Sequence, residues 1–151
     1  MSEHLVYLDS SAIVKRYVQE PSSDTIREKY LKAYSGEVSL ACSLWNIGEV
    51  LGVFDRARRI GRLSNGDYII AKRRFLSETK RLIKLGVMII VPLKTGIIKE
   101  TWNLIEKHHI YEADALQLAS ARYVKAQTFM TGDRQTHEAA LKEGLKSIYL
   151  A

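Results

Sequence analysis

Cysteine and long apolar runs are scarce in this sequence. Its 151 residues include one cysteine, Cys42, so no disulfide can form within the chain and a reducing, cytoplasmic location is expected. The longest apolar run, residues 85–93, contains a glycine and a proline and is too short to cross a membrane. The first residues lack the basic, apolar and cleavage regions of a signal peptide. These shortages argue against secreted, membrane-spanning and disulfide-stabilised proteins.

Glycine-rich phosphate loops and histidine or cysteine metal motifs are also missing. Neither G-x-G-x-x-G nor G-x-x-x-x-G-K-[ST] occurs in the chain. His108 and His109 are adjacent instead of one helical turn apart, and Cys42 has no histidine at ligand spacing. The sequence therefore argues against those nucleotide sites and against a zinc site.

Apolar runs and helical repeats alternate along the whole chain. Because the apolar runs are continuous, they predict a parallel sheet that is covered on both faces by helices. The first helix is expected to run from Ser10 to about Glu20, just before Pro21. We expect one α/β domain, residues 1–151, with a central parallel sheet of about five strands. The predicted strands are residues 4–8, 38–42, 87–91, 128–130 and 147–150.

Four carboxylates are expected to meet at the carboxyl edge of this sheet, where sites form in open parallel sheets. Asp9 ends the first strand, and Asp133 follows the fourth by a short turn. Glu49 lies one turn into the helix after the second strand, and Asp114 begins a helix rich in alanine and leucine. An unpaired carboxylate is costly in such surroundings. Because oxygen-only ligand sets favour hard cations, the cluster predicts bound Mg²⁺ or Mn²⁺.

Each acid also has an ordinary structural explanation. Asp9 and Asp133 precede helices and could act only as N-caps. Asp114 could interact with the dipole of its helix, and Glu49 could lie on an exposed helix surface. The two interpretations stay open at the level of sequence.

Positive charge is concentrated in one segment. Residues 55–84 contain ten basic and three acidic residues, a net charge of +7, whereas the whole chain carries +6. Such a segment is typical of a polyanion-binding surface, although a solvated helix face or an acidic protein partner would explain it as well. Next to an acidic metal site it favours phosphodiester hydrolysis. The candidate RNA and phosphate contacts are Lys15, Arg58, Arg59, Arg73 and Arg74.

The four acids also lie in recognisable segments: YLDSSAIVKRY contains Asp9, GEV contains Glu49, YEADALQLASA contains Asp114 and TGDR contains Asp133. Together these segments resemble the motifs of PIN-domain nucleases, and in particular the VapC-type toxin ribonucleases of bacteria and archaea. The resemblance covers nearly the whole chain. It implies a PIN-like α/β/α sandwich and a metal-dependent endoribonuclease that uses Mg²⁺ or Mn²⁺.

The resemblance also implies roles for particular residues and partners. The four acids would be the catalytic, metal-binding residues, and Ser11 and Thr131 would support the metal ligands. A homodimer, a structured RNA substrate and a small antitoxin that inserts a segment into the acidic cleft are implied as well. Some relatives carry a further acid after the fourth motif, where this chain has residues 134–136 (RQT), which questions a second metal site.

Two other functions compete with the nuclease. An RNA-binding module with the same fold and an inactive cavity would explain the basic segment, although the presence of all four motif acids argues against it. A haloacid-dehalogenase-like phosphatase would use Asp9 as nucleophile. Such enzymes carry a D-x-D motif at the end of the first strand, whereas here Ser11 occupies the place of the second acid.

Overall fold

Five short strands form a parallel sheet at the centre of the molecule. The computed structural model describes residues 4–151, so residues 1–3 of the expected domain lie outside the described residues. Every neighbouring pair of strands is parallel, which confirms the predicted sheet. The strands are β1 (Leu5–Leu8), β2 (Ser39–Ser43), β3 (Met88–Val91), β4 (Thr128–Thr131) and β5 (Lys146–Tyr149). Their order across the sheet is β3-β2-β1-β4-β5.

Seven helices lie in residues 4–151 and cover both faces of the sheet. They are α1 (Ser10–Tyr17), α2 (Ser23–Tyr34), α3 (Leu44–Arg59), α4 (Asn65–Lys84), α5 (Thr95–His108), α6 (Glu112–Tyr123) and α7 (Arg134–Lys142). The first four pack into one apolar cluster against one face, and the last three into a second cluster against the other. The α/β/α arrangement is therefore confirmed. None of these helices has both the length and the apolar character needed to cross a membrane.

The central strand shows why the strands are continuously apolar. Val6 and Leu8 belong to the first apolar cluster, whereas Tyr7 belongs to the second and stacks on Phe129 with ring centroids 5.6 Å apart. All three β1 side chains are fully buried. A strand with helices on both faces has no solvent-facing side, so neither alternating set of positions needs to be polar.

The chain changes direction across the sheet at β1, which pairs with β2 on one side and with β4 on the other. The loops after β1 and β4 diverge at this point and leave a crevice at the carboxyl edge of the sheet. Asp9 is the first residue after β1 and therefore lies at the crevice.

The first helix is shorter than its sequence pattern predicts. It ends at Tyr17 instead of about Glu20, because Val18 already has an extended backbone with φ −127° and ψ 127°. As a result, Glu20 lies in the loop after α1, where its side chain faces the crevice at the end of β1.

A largely buried ion pair fixes α4 against α1 and α2. Glu78 of α4 accepts hydrogen bonds from Nε and Nη2 of Arg16 at 2.9 and 2.8 Å. It also accepts one from each hydroxyl of Tyr17 and Tyr34, both at 2.8 Å. Burial acts to raise the pKa of Glu78, but the donors outweigh it and hold the pKa below its usual range. These contacts join α4, which belongs to the basic segment 55–84, to α1, the helix that follows Asp9.

Candidate active site

The four acids predicted from the sequence line a single cavity of about 320 Å³. Asp9 and Asp133 follow β1 and β4, Glu49 projects from α3, and Asp114 projects from the first turn of α6. Four separate elements thus bring four carboxylates to one crevice at the carboxyl edge of the sheet. Their assignment as catalytic and metal-binding residues stays a prediction.

Asp9 is buried and held on both oxygens. Its Oδ1 accepts hydrogen bonds from the Ser11 hydroxyl at 2.6 Å and from the Ala12 amide at 3.0 Å, and its Oδ2 accepts one from the Thr131 hydroxyl. Burial raises the pKa of Asp9 to about 6 against the opposing effect of these donors, and the charge of Glu49 adds to the rise. Asp9 is also the N-cap of α1.

Asp114 is partly buried at the start of α6, beside the other three acids. Its pKa is raised to about 6, chiefly by burial and then by the negative charges of the other three acids, in the order Asp133, Asp9 and Glu49. The hydroxyl of Thr136 acts in the opposite direction. A site with several mutually repelling carboxylates favours uptake of either protons or a cation.

The structural and functional interpretations of these acids are compatible. Asp133 caps α7 by accepting a hydrogen bond from the Thr136 amide at 2.8 Å, just as Asp9 caps α1. Glu49 does not lie free on a helix surface, because its Oε1 accepts a hydrogen bond from the Ser10 hydroxyl. A cap uses one lone pair of a carboxylate that has about four, so capping leaves Asp133 able to bind a ligand.

The sequence matches a known protein family. A sequence profile of the PIN domain matches residues 6–142. The chain belongs to the PIN-domain family. The match includes all four cavity acids. The comparison with curated proteins found no significant sequence match.

Solved structures share the fold of this PIN domain at low sequence identity. VapC20 of Mycobacterium tuberculosis, described as a Sarcin-Ricin loop cleaving toxin, superposes with a TM-score of 0.62 and 16% identity over 89% of this chain and 94% of VapC20. PAE2754 of Pyrobaculum aerophilum superposes with a TM-score of 0.66 and 16% identity over 95% of this chain and 83% of PAE2754. A chain of VapBC2 of Rickettsia felis, which was solved with a promoter DNA fragment, superposes with a TM-score of 0.61 and 16% identity. The match covers 97% of this chain and 99% of that one. At such identities the superpositions establish the fold alone.

The donor set of this PIN domain fits a hard divalent cation. All five charged groups that line the cavity are carboxylates, since Glu20 joins the four predicted acids. Two of the four, Asp9 and Asp114, have pKa values raised to about 6 by burial and by neighbouring negative charge. Within residues 4–151, however, no three acidic, histidine or cysteine side chains are grouped closely enough to form a ready-made metal cage. Mg²⁺ is commonly bound by one or two carboxylates and several water molecules, which an open cavity of this size accommodates.

The predicted cationic contacts of the PIN domain lie away from the acids. No lysine or arginine of the described residues lines the acidic cavity. Lys15 is buried, and its ammonium donates a hydrogen bond to the Pro21 carbonyl at 2.8 Å and lies 3.5 Å from Oε1 of Glu20. Lys15 therefore has partners within the protein, and its contact with phosphate stays a prediction.

The four predicted arginines lie on α3 and α4. Arg58 and Arg59 both pair with Asp55, and Arg58 also lies 4.2 Å from the ring centroid of Tyr68. Arg73 and Arg74 are exposed on α4. Exposed ion pairs contribute little energy, so Arg58 and Arg59 can exchange Asp55 for a phosphate at small cost.

Sequence reasoning missed a groove beside the acidic cavity. Arg56 and Arg62 line it together with apolar side chains that include Phe54 and Ile60. Val14, Glu20 and Val53 line both spaces, so the groove and the cavity are continuous. Arg56 and its C-cap neighbour Ile60 are four residues apart at the end of α3, and this spacing was the available sequence signal. The spacing does not show which face of the helix other elements cover.

Sequence reasoning also missed buried polar residues next to the acids. Asn46 and Gln117 are almost fully buried and connect to Ser10 and Tyr7 by hydrogen bonds. Gln117 stands within the apolar segment 115–119 (ALQLA), and a polar residue in such a segment was the available signal.

Proposed function

We propose that this protein is a metal-dependent endoribonuclease and the toxin of a VapC-type toxin–antitoxin pair. The observation that carries the proposal is the convergence of Asp9, Glu49, Asp114 and Asp133 on one cavity. Membership of the PIN-domain family supports nuclease chemistry. The fold shared with VapC20, a toxin described as cleaving the Sarcin-Ricin loop, supports RNA as the substrate.

The acids would hold Mg²⁺ or Mn²⁺ at the carboxyl edge of the sheet. Bound there, the cation would lower the pKa of the attacking water and neutralise charge that develops on the phosphate. Ser11 and Thr131 hold the buried Asp9 carboxylate in one orientation. Its Oδ1 already accepts two hydrogen bonds, from Ser11 and from the Ala12 amide, whereas Oδ2 accepts one and keeps a lone pair for a cation. Carboxylates with raised pKa values must lose protons to bind a cation, so its affinity should fall below about pH 6.

RNA would approach along the basic helices. The arginines at 58, 59, 73 and 74 would contact its phosphates, and the charge of segment 55–84 would make the affinity dependent on salt. The acidic cavity lacks its own lysine or arginine among the described residues, so backbone binding and cleavage would be carried by separate surfaces.

An antitoxin segment would lie in the groove beside the acids. The groove is lined by the exposed apolar side chains of Val53 and Ile60 together with Arg56 and Arg62, which suits an amphipathic segment that carries acidic residues. Continuity of the groove with the cavity would let such a segment reach the acids and block the site. Large exposed apolar side chains such as Trp45 and Trp102 support the homodimer that the resemblance implies. We place the protein in the cytoplasm.

Cleavage of mixed cellular RNA by the purified protein tests the proposal. Cleavage is expected with Mg²⁺ or Mn²⁺, should stop with EDTA, and should be lost in Asp114→Asn, which removes charge at nearly constant size. Asp24→Asn is the matched control, because Asp24 also lies in the first turn of a helix but is exposed and outside the cavity. Failure to cut under any metal condition would favour the RNA-binding module, and cutting by Asp114→Asn in EDTA would refute the assigned site.

A further inference from the structure

A chain of buried hydrogen bonds runs from α3 to one of the cavity acids. Asn46, in the first turn of α3, is fully buried. Its Nδ2 donates a hydrogen bond to Oγ of Ser10 at 2.7 Å, and the Ser10 hydroxyl donates to Oε1 of Glu49. Asn46 and Glu49 are both on α3, but they are connected through a residue of α1.

The orientation of the Asn46 amide is fixed by the backbone. Its Oδ1 accepts a hydrogen bond from the Ser43 amide at 2.7 Å and completes the capping box of α3. A backbone N–H can only donate, so the oxygen of the amide must face Ser43 and the NH₂ group must face Ser10.

This orientation determines where the Ser10 proton points. A serine hydroxyl has one hydrogen, and an amide NH₂ can only donate to it. With Asn46 donating to the Ser10 oxygen, the single Ser10 hydrogen is left for the carboxylate of Glu49. The Ser10 hydroxyl therefore always presents a donor to Glu49, and a hydrogen bond to a charged acceptor is among the stronger kinds.

The same polar cluster extends to the helix that carries Asp114. The hydroxyl of Tyr7 on β1 donates to Oε1 of Gln117 at 2.7 Å and lies 3.4 Å from Oδ1 of Asn46. Gln117 is three residues after Asp114 and is 2% exposed. The cluster thus spans β1, α1, α3 and α6, which are the elements that place three of the four acids.

From this geometry we infer that Asn46 is a positioning residue for Glu49, acting through the Ser10 hydroxyl. The inference rests on the proposed function, because it concerns how the metal-binding site is organised. Residues that orient metal ligands without touching the metal commonly affect metal affinity or activity by about tenfold to a hundredfold.

A double-mutant cycle of Asn46→Asp and Ser10→Ala tests the inference. Asn46→Asp keeps the oxygen that caps Ser43 but replaces the donor to Ser10 with an acceptor, which competes with Glu49 for the Ser10 hydrogen. The readouts are the RNA cleavage rate at saturating substrate and the Mn²⁺ dissociation constant from calorimetry without RNA. Asn65→Asp, in the first turn of α4, is the control for adding a charge at a helix start, and urea unfolding checks that each variant folds.

The expected result is strong non-additivity. Asn46→Asp should reduce cleavage and Mn²⁺ affinity about tenfold to a hundredfold when Ser10 is present, but only a fewfold in the Ser10→Ala protein. The effect of the added charge is common to both backgrounds, so it cancels in the cycle.

Equal effects of Asn46→Asp in both backgrounds would overturn the positioning role. If the wild type does not cleave RNA, the proposed function fails, and the Mn²⁺ cycle still decides whether Asn46 acts through Ser10. If the wild type does not bind Mn²⁺ either, both proposals are overturned.

Discussion

Asp9→Asn should stabilise the cation-free protein at pH 7, although the residue lies at the centre of the candidate active site. The wild-type residue is a carboxylate that is 5% exposed, and burial penalises its charged form. Asparagine has nearly the same shape and keeps an oxygen for the hydrogen bonds from Ser11 and Ala12, whereas its NH₂ group can donate to the Thr131 oxygen but no longer accepts from its hydroxyl. The substitution therefore removes a buried charge at little cost in packing.

The size and the sign of the effect follow from the pKa of Asp9. Folding raises it from 3.8 to about 6. Because this rise in the pKa is about two pH units, the charged Asp9 lowers the free energy of unfolding by about 3 kcal/mol at a pH above both values. Because the folded state keeps its proton up to about pH 6 while the unfolded state loses it near pH 4, the wild type loses stability as the pH rises through this window. The asparagine variant lacks that loss.

The assay is urea unfolding of wild type and Asp9→Asn in EDTA at several pH values between 4 and 7. The variant should exceed the wild type by up to about 3 kcal/mol at pH 7, and the difference should vanish near pH 4. Using the difference between the two proteins removes contributions from carboxylates with lowered pKa values, such as Glu78. Asp24→Asn is the matched control for the loss of one carboxylate outside the cavity.

Addition of Mg²⁺ or Mn²⁺ at pH 7 should reverse the order, because only the wild type keeps the full set of carboxylates for a cation. An Asp9→Asn protein no more stable than wild type at pH 7 would refute the reasoning. A stability difference that persists unchanged at pH 4 would refute it as well, since the effect would then come from packing and not from charge.

Two further substitutions probe the supports of the site. Glu78→Gln should lower the free energy of unfolding by about 3 kcal/mol in urea denaturation, because it leaves the largely buried guanidinium of Arg16 without a counter-charge. A cost as small as that of Glu28→Gln, in an exposed pair, would contradict this. Gly132→Ala should lower RNA cleavage severalfold, because the new Cβ would lie 3.3 Å from the Ser11 hydroxyl that orients Asp9. Gly52→Ala, where a Cβ meets nothing within 4 Å, is its control, and equal activity of the two glycine variants would count against the crowding argument.

The order of helices and strands was predictable because it depends on local patterns. Continuous apolar runs mark strands that are buried on both faces, and the strand predicted at residues 128–130 differs from β4 by a single residue. Helix ends were less predictable: α1 stops at Tyr17, and nothing in the apolar spacing shows that Val18 becomes extended. Ends depend on single backbone conformations and on contacts made elsewhere in the fold.

The convergence of the acids was predictable from topology, but their environment was not. A residue at the end of a parallel strand must lie at the carboxyl edge of the sheet, so Asp9 and Asp133 could be placed there from the sequence. The sequence could not show that Lys15 turns to Pro21 and Glu20, or that Ser10 bonds to Glu49. Such contacts join residues on different elements, and the pattern within one element carries no information about them.

The sequence by itself determined the parallel α/β fold, the four carboxylates and the concentration of positive charge in residues 55–84. These properties come from residue type and short-range spacing, which hold before the chain folds. Only the tertiary structure decided how deeply Asp9 is buried, which arginines border the groove beside the cavity, and that Asn46 reaches Glu49 through Ser10. Burial and hydrogen-bond direction are relations between distant parts of the chain, and they exist only once the helices and strands have packed.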